Sequence, residues 1–172
     1  MYKWLTSFLL VIAACSDDSR SADDFKEYEG PYSEVVDAAF LVSDSAVIKS
    51  KLTAKRQLLY ENGNQDYPEG LYIESYDVTG VKTSTITADR GHFDQEENTF
   101  TAEGNVIVED LEGGQTLKTE VLYWNRRDKE IHTDRYVEIA SEEEVIMGEG
   151  LTANEDFSSY QILKPTGSFS VK

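Results

Sequence analysis

The sequence predicts an all-β fold built from repeated hairpins, and three observations support this prediction. One pattern occurs twice without a gap, so that Phe93 aligns with Trp124 and Phe100 with Ile131, each pair 31 positions apart. Within each copy, apolar and polar residues alternate with a period of two, as on a half-buried strand. No segment has a helical period, and turn-forming residues recur about every 8 to 12 residues, a spacing typical of sandwiches and barrels.

Each copy of the repeat predicts one β-hairpin. An alternating segment leads into an aromatic residue and a polar turn, at 94–98 in the first copy and 125–129 in the second, and another alternating segment follows. In the first copy, the apolar face of this last segment consists of Phe100, Ala102, Gly104, Val106 and Val108. A single hairpin cannot hide such a face from water, so the hairpins must stack or curl until their apolar sides meet. The repeat therefore predicts a lined interior.

Further strands flank the two copies. Before them, strands are predicted over 38–42, 47–52, 54–60 and 70–74, with turns at 43–45 and 79–80 and a polar loop at 62–66. After them, a partial third copy begins at 145–151, turns at 154–156 and returns through 160–163. Pro165 lacks an N–H and is expected in a connection or an edge strand, ahead of a last alternating segment at 167–171.

The beginning of the chain has the features of a bacterial lipoprotein signal. Residues 1–14 carry one charged side chain, Lys3, ahead of an apolar run shorter than the roughly 20 residues of a membrane span. Ile12-Ala13-Ala14-Cys15 has the form of a lipoprotein cleavage box, in which the thiolate of Cys15 takes a diacylglyceryl anchor. Residues 15–34 are predicted to be this lipidated cysteine and a flexible acidic tether, and residues 35–172 the folded domain.

Composition and motifs exclude several functions. The chain has 33 Asp and Glu against 16 Lys and Arg, a formal charge of -17, which repels nucleic acids. One cysteine allows neither an intrachain disulfide nor a thiolate metal cluster, and His92 and His132 are not equivalent in the repeat. The loop at 62–66 lacks the bidentate Glu of a calcium site. No nucleophile elbow or phosphate loop is present, so we expect no enzyme, no metal and no cofactor.

The order and spacing of these segments resemble the LptC family and, more broadly, the OstA-like β-jellyroll repeat, from Val35 to Val171. The matching elements are Leu52-Thr53-Ala54 through Leu58-Leu59-Tyr60, Gly70-Leu71-Tyr72-Ile73, Tyr76-Asp77, Thr87-Ala88-Asp89 through Phe93-Asp94, Gly104-Asn105-Val106, Leu117-Lys118-Thr119-Glu120 through Trp124-Asn125, Val137-Glu138-Ile139 and Gly148-Glu149-Gly150-Leu151. One departure is the N-terminus, where many family members have a transmembrane helix and this chain has the lipoprotein signal.

The resemblance implies an open, twisted antiparallel β-jellyroll with a V-shaped interior. It also implies that the interior accepts the acyl chains of lipopolysaccharide. The lipid would come from an inner-membrane ABC transporter and pass to a periplasmic OstA-like jellyroll protein. The protein is accordingly expected in the periplasm of a Gram-negative bacterium, lipid-anchored to the inner membrane.

The residues expected to line this lipid-binding groove are the inward apolar residues of the predicted strands. They are Ile48, Leu52, Ile73, Ile86, Ala88, Phe100, Val106, Val108, Leu117, Val121, Ile131, Val137, Ile139, Ile146, Leu151 and Ile162. Apolar patterning is equally compatible with a packed core. Two alternatives therefore stand beside lipid transfer: an envelope lipoprotein that docks partners through its sheet edges, and a lipocalin-like carrier, which needs a closed barrel.

Overall fold

The computed structural model describes residues 28–170, and its regular elements are β-strands. The strands are β1 (Ser33–Asp44), β2 (Val47–Leu59), β3 (Gln65–Tyr67), β4 (Leu71–Tyr76), β5 (Lys82–Ala88), β6 (Arg90–Asp94), β7 (Thr99–Asp110), β8 (Gln115–Asn125), β9 (Glu130–Ala140), β10 (Glu144–Asn154) and β11 (Tyr160–Ser170). The strands pair antiparallel. This confirms the all-β prediction, and the signal peptide, Cys15 and most of the tether lie outside the described residues.

The eleven strands form one sheet that divides and rejoins. Strands β11 to β7 follow one another in order, and β1 pairs with β2 at the other end. Between β7 and β2 the sheet takes two routes, one through β5 and β4 and the other through β6 and β3. The two routes face each other across the core. Gly91 of β6 lies so close to Leu71 of β4 that a Cβ added to it would overlap the Leu71 side chain, and that Cβ would lie 2.9 Å from Phe100 Cζ. The sheet is thus folded over a core, as in an open jellyroll.

Each long strand of the repeat has a kink near its middle. In β7 the kink lies at Gly104 and Asn105, whose φ angles are 76° and 45°, and the pairing with β8 shifts between Glu103 and Val106. In β9, Thr133 and Tyr136 are three residues apart, whereas their partners in β10, Leu151 and Glu149, are two residues apart. Strand β9 therefore has an extra residue, 31 positions after the one in β7. Such bulges bend a strand and increase its twist. The sequence repeat is therefore also a repeat of the kink.

The apolar face forms one continuous core. Its buried members are Ala54, Tyr67, Leu71, Ile73, Ile86, Ala88, Phe93, Phe100, Ala102, Val106, Val108, Leu117, Leu122, Ile131, Val137, Ile139, Leu151 and Ala153. Val137, at the kink of β9, is 0% exposed. Because alternate residues of a strand point to opposite faces, the residues between these positions lie on the other face of the sheet. The predicted alternation is confirmed for Phe100, Ala102, Val106 and Val108, whereas Gly104 is only half-buried at the kink.

Three details of the sequence interpretation were wrong. Residues 47–52 and 54–60 form one strand, β2, because Thr53 pairs with both Ala39 and Tyr72 and leaves no gap. The loop at 62–66 ends at Asn64, since Gln65 and Asp66 pair with β6 as part of β3. The first segment of the repeat is two strands, β5 and β6, because Asp89 interrupts it opposite the kink at Gly104, whose carbonyl accepts the Asp89 N–H at 3.0 Å.

A charged cluster ties three neighbouring strands together on the solvent face. Glu74 of β4 is 8% exposed and lies between Lys82 of β5 and Lys51 of β2, whose Nζ is 3.5 Å from Glu74 Oε2. The hydrogen bond from Lys82 lowers the pKa of the Glu74 carboxyl below its ordinary value of 4.5, with Lys51 adding to the effect. The ionised carboxylate therefore stabilises the fold.

The Glu74→Gln variant tests this cluster. We expect it to unfold more easily than wild type at pH 7, because the charge between the lysines is lost. Because the pKa of Glu74 is lower in the folded state than in the unfolded state, its carboxylate stabilises the fold at pH values above the unfolded-state pKa. This stabilisation is lost as the pH falls through the folded-state pKa. The difference between wild type and variant in urea unfolding should therefore shrink below pH 4.5. Glu142→Gln, an exposed turn residue, is the control; a difference that grows with acid would contradict the assignment.

The kink in β7 gives a second test. Gly104→Ala should destabilise the fold by about 2–3 kcal/mol, from the left-handed φ and from crowding. A Cβ there would lie 2.8 Å from Asp89 Oδ2. Gly80→Ala is the matched control, because Gly80 also has a positive φ, 85°, but nothing within 4 Å of an added Cβ. It should cost about 1 kcal/mol. Equal losses in chemical denaturation would show that the contact with Asp89 is unimportant.

Candidate functional site: the apolar interior and its mouth

Most of the predicted groove residues meet in the interior. Eleven of the sixteen belong to the buried core: Ile73, Ile86, Ala88, Phe100, Val106, Val108, Leu117, Ile131, Val137, Ile139 and Leu151. Leu52 and Ile162 are half-buried and pack against them. The three others, Ile48, Val121 and Ile146, are outside that cluster. The structure thus brings together side chains from β2 to β11 on one apolar surface.

The three outliers have separate physical reasons. Ile48 is 44% exposed because the β1–β2 hairpin extends beyond β4, whose pairing with β2 starts only at Ser50. Ile146 lies opposite Ile139, but it is near the start of β10 and is only half-buried there. Val121 faces away because the kink reverses the alternation of β8, and Leu122, 2% exposed, takes its place.

A signal for Leu122 was present in the sequence. Counting by twos forward from Leu117 leads to Val121, whereas counting back from Trp124 leads to Leu122. Two apolar series of opposite parity in one strand indicate a bulge between them. Counting back by two from Ile162 likewise leads to Tyr160, which packs against the core. Phe157, in the loop after β10, also packs there, and no strand pattern could have indicated it.

The interior has a mouth between the β7–β8 turn and the β10–β11 loop. An apolar cavity of about 20 Å³ lies at its inner end, lined by Val108, Asp110, Gln115, Leu117, Ile139, Leu151, Phe157 and Tyr160. This is room for about one water molecule. A wider cleft of about 320 Å³ adjoins it, sharing Asp110, Gln115, Phe157 and Tyr160 and adding Glu112, Gly113, Asp156 and Ser158. The core is therefore closely packed, and Phe157 and Tyr160 border both spaces.

The rim of the mouth is acidic. Asp110, Glu112 and Asp156 line the outer cleft. The backbone N–H of Ser158 donates to Asp156 Oδ1 at 3.0 Å, and this hydrogen bond lowers the pKa of the Asp156 carboxyl. These carboxylates disfavour anionic groups at the rim. The mouth therefore combines a carboxylate rim with a hydrocarbon floor.

Both histidines make contacts within the protein. His92 Nδ1 lies 2.6 Å from Asp66 Oδ1, and the Tyr60 hydroxyl donates to Asp66 Oδ2 at 2.7 Å. His132 stacks on Tyr123 with ring centroids 5.2 Å apart. Over residues 28–170, no three His, Cys, Asp or Glu side chains are grouped to hold a metal ion. In the same range, no helix is long and apolar enough to cross a membrane.

The direction of the side chains at the kink can be tested with two valines. Val137→Ala should lower the free energy of unfolding by about 2–3 kcal/mol, because it removes two buried carbons and leaves a cavity. Val121→Ala should cost less than about 1 kcal/mol, since Val121 is half-buried on the outward side. Urea denaturation measures both. A loss at Val121 as large as that at Val137 would mean that β8 has the opposite orientation.

Comparison with known proteins agrees with this architecture. No curated protein has significant similarity to the sequence. The family described as lipopolysaccharide-assembly, LptC-related, matches residues 38–166. This range runs from β1 into β11 and thus includes the whole apolar interior and its mouth. The chain belongs to the LptC-related family of lipopolysaccharide-assembly proteins and has a role in lipopolysaccharide transport.

Proposed function

We propose that the protein accepts acyl chains of lipopolysaccharide in its apolar interior and passes them to a periplasmic protein of the same fold. The observation that carries this proposal is the single apolar surface, shared by side chains from β2 to β11, with a mouth at one end. A binding interior of this kind needs no catalytic group, and we propose no reaction.

The energy of such binding comes from hydrocarbon transfer out of water. Each buried methylene contributes about 0.8 kcal/mol, so one chain of about a dozen carbons gives roughly 10 kcal/mol before costs. The core is packed in the absence of lipid, and a chain must therefore displace protein side chains from one another. These lost contacts reduce the net affinity, which suits a protein that has to release its lipid.

The two edges of the sheet support docking to partners. β1 pairs only with β2, and β11 only with β10, among the strands of the described range. An edge strand presents free N–H and C=O groups to which another strand can add. We infer that one edge receives the lipid from an inner-membrane ABC transporter, whose ATP hydrolysis drives the transfer, and that the other edge passes it on.

Residues before the described range supply the proposed location. The motif that ends at Cys15 supports lipidation of that cysteine and attachment of the domain to the inner membrane, on its periplasmic side. Seventeen residues separate Cys15 from Ser33, the first residue of β1. A relaxed chain of this length spans about 25 Å, enough to hold the jellyroll near the membrane surface.

The second candidate function is an envelope scaffold that docks partners through its edges and binds no lipid. The small size of the inner cavity, about 20 Å³, favours this alternative. It predicts the same protein contacts as lipid transfer. The two candidates differ only in whether hydrocarbon enters the interior.

Site-specific photocrosslinking in cells distinguishes these functions. A photoreactive phenylalanine analogue would replace Phe100 or Tyr160, which contact the interior, or Tyr136, which is 51% exposed on the outward side. All three exchange one aromatic side chain for another. Lipid transfer predicts lipopolysaccharide adducts at Phe100 and Tyr160 and none at Tyr136. Further photoreactive residues in the edge strands β1 and β11 report contacts with proteins. Protein adducts there, without lipid adducts at the two interior positions, would favour the scaffold.

A further inference from the structure

The loop between β10 and β11 holds an aromatic side chain in the mouth of the interior. Phe157 has a φ of 56°, which is left-handed and unfavourable for a bulky residue. Its ring nevertheless packs against the core and borders both the inner cavity and the outer cleft. A strained backbone persists only where surrounding interactions hold it, and it is often found at functional sites.

The loop is held together mainly by its own polar contacts. Asn154 N–H donates to the Ser159 carbonyl at 3.2 Å, and Ser159 N–H donates to Asn154 Oδ1 at 2.9 Å. Within the loop, Phe157 N–H donates to the Asn154 carbonyl at 3.0 Å. Contacts with the β8–β9 turn are one hydrogen bond, from Glu155 N–H to the Lys129 carbonyl at 3.1 Å, and an exposed ion pair between these residues. Beyond Asn154, which ends β10 and pairs with Glu130, few polar contacts tie the loop to the rest of the sheet.

We propose that the cleft between the β7–β8 turn and the β10–β11 loop is the port through which the methyl end of a hydrocarbon chain enters, and that Phe157 is its gate. The outer cleft has a volume of about 320 Å³ and the inner cavity only about 20 Å³, and Phe157 lines both, together with Asp110, Gln115 and Tyr160. Outward movement of this ring joins the cleft to Leu117, Ile139 and Leu151 beneath it. Inward movement restores the packed core.

The rim indicates which end of the ligand enters. Asp110, Glu112 and Asp156 surround the cleft, and an anionic headgroup at their level would be repelled. A neutral alkyl tail is not repelled, and it gains free energy by covering the apolar floor. The port therefore takes the tail of an anionic amphiphile first and leaves the headgroup outside. This inference rests on the proposed lipid-binding function and adds the place and direction of loading.

The test is the rate at which the mature protein takes up cis-parinaric acid, whose tail becomes fluorescent in an apolar environment. Phe157→Ala should raise both the association and the dissociation rate by about fivefold or more, because a gate slows both directions alike. Phe157→Leu should give an intermediate rate. Phe157→Gly removes the ring and relieves the left-handed strain, so it keeps the test valid where the alanine variant is unstable. Tyr136→Ala, which removes an outward aromatic ring, is the control and should not change the rates.

The outcomes separate the gate from the proposed function. Unchanged rates in folded Phe157→Ala and Phe157→Gly, with binding in wild type and displacement of the probe by lipopolysaccharide, would overturn the gate and leave the lipid-binding interior intact. No binding by wild type or any variant would overturn both. Association and dissociation rates of the probe that increase from wild type through Phe157→Leu to Phe157→Ala support the port. Circular dichroism of each variant confirms that the compared proteins are folded.

Discussion

The whole structure depends on how an open sheet hides one face without closing into a barrel. A strand of 11 or 12 residues such as β7 or β8 would extend nearly 40 Å if straight, at about 3.3 Å per residue. A straight sheet of that size cannot fold over its own core. The kink at Gly104 divides β7 into two shorter arms, and Asp89 divides its partner at the same level. Both arms can then direct apolar side chains to one interior.

The kink also decides which residues are inside. An extra residue in one strand reverses the alternation of its partner, because side chains change face at every step. In β8 this places Leu117 and Thr119 inward on one arm and Leu122 and Trp124 inward on the other. The same extra residue recurs in β9, 31 positions after the first. The sequence repeat therefore places the same bend in each hairpin, and an open jellyroll needs such a bend.

The hairpins could be predicted from the sequence because they depend on local information. Alternation identified the inward face of β7, from Phe100 to Val108, and polar turns identified the hairpin ends. Val121 could not be placed by alternation alone, since the bulge that reverses β8 is set by its neighbour β7. Ile48 failed for a different reason: its strand extends past its partner β4, and strand length carries no local signal. Phe157 lies in a loop, where burial depends entirely on what the loop folds against.

Charge and packing together argue for a tail-first, reversible interaction. Screening in physiological salt limits the reach of a charge to about 8 Å, so the formal charge of -17 does not act on a ligand as a whole. The charges that matter are those at the mouth, Asp110, Glu112 and Asp156, which meet whatever crosses it. An anionic headgroup held at this level is repelled unless a divalent cation bridges it to the carboxylates. In the proposed mechanism, the headgroup limits how far the lipid enters and Phe157 controls the rate of entry and exit, so that neither loading nor release requires the sheet to come apart.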